Sequence, residues 1–168
     1  MVNMKLAMEL GRLGRADQVR RKKFRPGDTW NDMQDRENVR RLKAIVKRYG
    51  WPTISKVGPV ASRAAWLVAQ HAAFDKPFQK LALREMIRAH TRNKKDIEDY
   101  QLAYLTDRLL VEDGKPQLFG TQFKIFKNEV VKPSPIKDKA RLDDRRAAYG
   151  LEPFAAYLRS ARNSSKKK

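Results

Sequence analysis

The sequence predicts a mainly α fold: a single-domain helical bundle with a small β-hairpin annex near the C-terminal third. Three observations predict it. Apolar residues recur at i, i+3, i+4, i+7 spacing in successive runs, several of them closed by Gly or Pro. The segment 50–79 is almost uncharged inside a chain dense in Lys and Arg; between Gly50 and Asp75 only Lys56, Arg63 and Asp75 carry charge. Later, 116–131 holds two short apolar runs parted by Lys127 and Asn128, the pattern of a hairpin rather than a helix.

The elements follow in order. Met4 to Phe24 reads as a helix with Leu6, Leu10, Leu13 and Val19 on its apolar stripe, weakened by Gly11 and Gly14. After the break at Pro26-Gly27, a second helix starts near Asp32 to Asp35 and carries Val39, Leu42, Ile45 and Val46 to Tyr49. Gly50 suits the residue past its end, and Pro52 stops continuation. Thr53 to Gly58 reads as a loop. Pro59 then opens an Ala-rich helix to about Ala73. Asp75 is placed to cap a fourth helix, with Pro77 in its first turn, Phe78, Leu81, Leu83, Met86 and Ile87 facing inward, and an end near His90. Thr91 to Lys95 is a polar connection. A fifth helix spans about Asp96 to Val111. After the hairpin, short helices are expected over Leu142 to Tyr149 and Pro153 to Ala161.

At 168 residues the chain fits one domain, taken as 1–162, with a disordered basic tail at 163–168. Lys and Arg number 38 against 19 Asp and Glu, a formal charge of +19. Such a field attracts polyanions, so RNA, DNA or a ribonucleoprotein is the expected partner, bound through backbone phosphates; another protein partner is also open. No cysteine is present, which excludes thiolate catalysis, disulfides and Cys-held zinc. Neither a signal-peptide run nor a membrane span is expected, which fits a cytoplasmic protein. No cofactor motif and no metal-ligand spacing stand out.

An ordered set of segments resembles a known family. AlaAspGln at 16–18, YGWPT at 49–53, VGPVASRAAWLVAQHAAFD at 57–75, AYLTDRLLVEDGKPQLFGTQF at 103–123 and DRRAAYGLEPFAAYL at 144–158 follow one another. The chain is similar to a family of small bacterial proteins carried as a domain of unknown function, over roughly Asp17 to Leu158. One departure is Ala73, where the pattern often has an Asp after HisAla. The resemblance implies a single bacterial domain and supplies no activity.

Two functional readings compete. The first is a basic polyanion-binding protein. Arg40, Lys43 and Lys47 form a stripe on the second helix; Arg21, Lys22 and Lys23 close the first; Arg145 and Arg146 lie in a later basic stretch. Trp30, Tyr49 or Trp51 could stack on a base. The alternative is a small hydrolase or transferase, possibly toxin-like, acting on a nucleotide or nucleic-acid substrate. There His71 is the catalytic acid or base, paired with Asp75 one turn on or oriented by Asp107. Gln70, Gln79, Gln117, Thr121 and Gln122 hold the substrate. Alternation over 117–123 sets Gln117, Phe119, Thr121 and Phe123 on one side, and Gly120 marks a bulge or a close ligand approach. Against the catalytic reading stands a core histidine bonded to a backbone carbonyl, and against Asp107 a structural ion pair. Asp17 carries the same ambiguity. A third possibility is an interaction module, marked by an exposed apolar patch near Trp51 or on the hairpin.

Overall fold

The structure is a computed structural model, and it describes residues 2–23, 31–125 and 131–165. The fold is mainly helical, with one small two-stranded antiparallel sheet in the C-terminal third. By packing, the chain divides into two compact units, Met1–Glu98 and Asp99–Lys168.

The first unit holds α1 (Met4–Lys23), α2 (Met33–Tyr49), α3 (Ile54–Val57), α4 (Pro59–Gln70) and α5 (Lys76–Arg92). Helices α1 and α4 lie side by side in the same direction. Asn3 N–H donates to Lys56 O at 2.8 Å at one end, and Asp17 meets His71 at the other. Between them Gly14 is pressed onto Ala64. A Cβ on Gly14 would lie 2.6 Å from the Ala64 Cβ, far inside contact distance. The glycine that weakens α1 as a helix is what permits this approach. Helix α2 runs the other way along α1, tied by Arg41 to Glu9 and by Arg21 to Asp35. Its inner face is Val39, Leu42, Ile45 and Val46, as the spacing predicts, with Asp35 and Asn38 also buried.

Several boundaries differ from expectation, among them the start of the fifth expected helix, which lies at Asp99 rather than Asp96. Thr53 to Gly58 contains the short helix α3, because Thr53 O accepts from Lys56 N and Val57 N at 3.0 Å each. Gly58, at φ 79°, ends it and hands over to Pro59. Helix α4 stops at Gln70 rather than Ala73, since His71 to Asp75 form a tight turn in which Asp75 N donates to Ala72 O. Asp75 caps α5 as predicted, accepting from Phe78 N at 3.1 Å. That helix reaches Arg92, and a 3₁₀ turn at Lys94–Asp96 follows. Of its expected inward residues Phe78 and Met86 are buried, whereas Leu81 and Leu83 are half-buried and Ile87 is exposed.

The second unit holds α6 (Asp99–Glu112), β1 (Phe123–Ile125), β2 (Val131–Pro133), α7 (Leu142–Ala148) and α8 (Phe154–Ser165). The sheet is antiparallel, pairing Phe123 with Pro133, Lys124 with Lys132 and Ile125 with Val131. The ladder therefore starts later than the sequence suggests, and the expected turn at Lys127-Asn128 lies outside the described residues. Residues 118–122 are not a strand. Gln117, Phe119, Thr121 and Gln122 are buried, so the expected alternation is absent. Helix α8 continues to Ser165, taking in residues expected to be tail. Among the described residues no helix is long and apolar enough to cross a membrane.

Candidate functional site: an Asp–His pair and its surroundings

His71 sits where α4 gives way to the turn before α5. Its carboxylate partner is Asp17, nearly two turns before the end of α1, and not Asp75, which caps α5 and pairs with Lys43 at 2.6 Å. His71 Nδ1 lies 2.8 Å and 3.0 Å from the two Asp17 oxygens. Gln18 Nε2 donates to Asp17 Oδ2 at 2.7 Å, and Arg21 Nε donates to Oδ1 at 3.1 Å. Arg21 Nη2 also reaches Asp35 Oδ2 at 3.2 Å, so one guanidinium bridges acids on α1 and α2.

The electrostatics favour an ionised Asp17. Burial pushes its carboxyl up, but the hydrogen bond from His71, the His71 charge, the Gln18 amide and the Arg21 charge together outweigh that and leave it below the usual value. An ionised carboxylate only accepts, so His71 Nδ1 must carry the donated proton. The ring's other nitrogen, Nε2, is then the basic one in the neutral imidazole. The carboxylate is 2% exposed and the histidine side chain 19% exposed, so the acid is sealed while the ring still reaches solvent.

The neighbouring glutamines work on the fold. Gln79 is fully buried, and its Nε2 donates to Ala69 O at 3.0 Å and Gln70 O at 3.3 Å. It thereby closes two carbonyls at the end of α4. Gln70 is buried as well.

Asp107 belongs to the second unit and has a different occupation. It is fully buried, and its oxygens accept from Leu118 N at 2.7 Å, Phe119 N at 3.1 Å, Thr121 N at 3.0 Å and Thr121 Oγ1 at 3.0 Å. The 118–121 loop is wound around this one carboxylate. Gln117 fastens the next turn, donating Nε2 to Gln122 O and Ser134 O while its Oε1 accepts from Gln122 N at 2.8 Å. Gln122 Nε2 in turn donates to Thr121 Oγ1. Gly120, at φ 71°, faces the Phe154 ring; a Cβ there would lie 2.8 Å from it. The close approach expected at this glycine is therefore made by an aromatic side chain of α8.

Several cations assigned to phosphate binding already have partners. Arg146 is 1% exposed; it donates to Phe119 O at 2.5 Å and Glu152 O at 2.6 Å and lies 4.9 Å from the Tyr157 ring centre. Burial pulls its pKa below the ordinary value, partly offset by Tyr104, Tyr157, Asp143 and Glu152. Arg145 donates to the carbonyls of Leu118, Lys137 and Asp138. Arg21 is in the acid cluster, Arg40 makes a two-bonded pair with Glu37, and Lys43 pairs with Asp75. Lys22, Lys23 and Lys47 are exposed. Of the aromatic residues considered for stacking, Tyr49 is exposed, Trp51 is buried, and Trp30 lies outside the described residues.

A row not among the expected phosphate contacts lies on α5: Lys76, Lys80, Arg84, Arg88 and Arg92, each four residues after the last. Lys80, Arg84, Arg88 and Arg92 are exposed, and Lys94 and Lys95 extend the charge beyond the helix end. Glu85 is the sole carboxylate in this helix. The signal was the strict i, i+4 recurrence of cations.

The family of unknown function DUF6624 matches residues 9–167, and the chain belongs to it. No curated protein and no solved structure matches the chain significantly. The matched segments meet in pairs: AlaAspGln at 16–18 with His71, and Asp107 with the LeuPheGlyThr stretch at 118–121. Among the described residues no group of three or more acidic or histidine side chains is placed to hold a metal ion.

Proposed function

We propose that the protein binds nucleic acid through its phosphate backbone, with the cation row of α5 as the principal footprint. The observation that carries this reading is the exposed row from Lys80 to Arg92, continued by Lys94 and Lys95, in a chain of net charge +19. Neighbours in the row stand one helical turn apart, and from Lys76 to Arg92 it covers about 24 Å of helix axis, turning slowly around the helix as it goes. That length is comparable to several phosphates of one strand. The α2 stripe is a weaker candidate because Arg40 and Lys43 are each offset by a carboxylate of their own, Glu37 and Asp75, whereas on α5 Arg84 and Arg88 share the single Glu85. The row offers charge without a base-reading motif, so backbone recognition is the mode it supports. Affinity for a generic RNA and a generic duplex DNA over a salt series tests this. Binding should fall steeply with salt, and replacing Arg84, Arg88 and Arg92 by Glu should lower both affinity and salt slope. Unchanged affinity in that variant removes α5 as the footprint.

The Asp17–His71 pair favours a second reading, in which the protein also transforms a phosphate-bearing substrate. A sealed carboxylate holding Nδ1 is how an imidazole is kept oriented to take a proton at Nε2 from an attacking hydroxyl. Cleavage of a labelled RNA or a nucleotide ester, lost in His71→Gln and reduced in Asp17→Asn, is the expected result. Cleavage that persists in His71→Gln excludes the pair as its source.

A further inference from the structure

The first half of α1 carries a seam that nothing in the bound-polyanion reading uses. Met4, Ala7, Met8 and Gly11 recur at helical spacing and form one wall of an open groove of about 460 Å³. The corner where α3 turns into α4 supplies the other, with Val60 at its rim. Met4, Met8 and Val60 are 65%, 57% and 79% exposed. Arg12 and Arg15 line the same groove at its far end, and neither has an ion pair or hydrogen bond among the described residues. Gly11 keeps the floor low, since a Cβ there would meet only the Arg15 guanidinium, at 3.5 Å.

We propose that this groove docks an acidic amphipathic helix of a protein partner. Met4 to Arg15 spans about three helical turns, the length over which such a helix presents an apolar i, i+3, i+4, i+7 face. Methionine side chains adapt to a partner's shape at little cost, which suits this kind of groove. The charge decides the occupant. A second copy would bring another +19 against the first, so self-association is opposed. An aliphatic floor offers a nucleic-acid base nothing to stack on. Arg12 and Arg15 beside an apolar seam complement a helix whose flanks are Asp and Glu.

The test is fluorescence anisotropy on the full chain with a labelled four-turn peptide bearing Leu at i, i+3, i+4, i+7 and Glu elsewhere. Its control has the same composition with the leucines scattered. The patterned peptide should bind about tenfold more tightly than the control. Met8→Asp should weaken it by about tenfold, and so should the double change Arg12→Glu, Arg15→Glu, whereas Arg84→Glu should not. Should Met8→Asp fail to fold, Val60→Asp probes the opposite wall. Equal binding of the two peptides overturns the proposal, as does unchanged affinity in the groove variants. Recruitment to anionic phospholipid vesicles that Met8→Asp abolishes, with no peptide binding, also overturns it and assigns the groove to a lipid surface. Because Arg84 lies outside the groove, failure here leaves the α5 footprint standing, and the reverse holds.

Discussion

Asp17 on α1 holds the Nδ1 of His71 at 2.8 Å across 54 residues of sequence, and the same carboxylate takes a second bond from Arg21. Helix α1, whose start is bonded to the α3–α4 corner through Asn3 and Lys56, is thus also joined to the far end of α4. The pair fixes the tautomer of the ring and ties α1 to the α4–α5 turn through a sealed acid–histidine contact.

Replacing Asp17 by Asn should destabilise the first unit by about 2 kcal/mol, because His71 and Arg21 lose a charged acceptor in a buried setting. The pH dependence gives a sharper check. Asp17 has a folded-state pKa below its unfolded value, so its contribution is present above the unfolded pKa and is lost as pH falls toward the folded one. Denaturant melts of the parent should lose stability below about pH 4, and Asp17→Asn should flatten that acid limb. An identical acid limb in both proteins contradicts the assignment.

Gly14 and Gly11 should respond in opposite directions to Ala. Both substitutions gain about 1 kcal/mol of helix propensity. At Gly14 the new methyl meets Ala64 at 2.6 Å, and the overlap should cost about 1–3 kcal/mol, giving net destabilisation. At Gly11 the nearest atom is the movable end of Arg15, so the propensity gain should remain. Thermal melts of the two variants decide this, and a stabilised Gly14→Ala would refute the close approach.

Asp107→Ala should be the most damaging single change in the second unit. It strands the buried amides of Phe119 and Thr121 and frees that of Leu118, at roughly 1–3 kcal/mol for each buried donor left unpaired. Hydrogen exchange should show lost protection at 118–121 before any change in α5. Retained protection there would mean the loop is held by other contacts.

Tyr157 gives an alkaline counterpart. Burial, and after it the hydrogen bond with Tyr104, push its phenol well above the ordinary value. A raised folded-state pKa means stability is intact below the unfolded pKa and lost as pH rises past it. Unfolding should therefore ease above about pH 10, and Tyr157→Phe should remove part of that loss. Ultraviolet titration of the phenols would reveal a normally titrating Tyr157 if this is wrong.

Much of the helical framework was legible because its causes are local. The i, i+3, i+4 recurrence of Val39, Leu42, Ile45 and Val46 drew α2; Gly50 ended it; Asp75 and Pro77 set the start of α5. The missed helix at 54–57 and the shortened α4 are boundary effects of two glycine- and turn-bound corners. Family membership was also readable, from the order of its segments. The charge excess hid more. With 38 cations in the chain, Arg146 read as part of a phosphate-binding stretch, and it proved to be among the most buried side chains.

What the sequence determined by itself is the class of fold, the strong positive charge, the positions of most helix ends and the residues from which a site could be built. What only the tertiary structure decided is which of those residues meet. His71 was visible, but its partner depended on how closely α1 could approach α4, and that rests on a glycine facing an alanine. Asp107 read as a carboxylate orienting His71, and the loop glutamines as substrate groups, until their oxygens and amides were seen to close the backbone around them. Helical periodicity is written within a few residues of itself, whereas a pairing across 54 residues is set by the packing of whole helices.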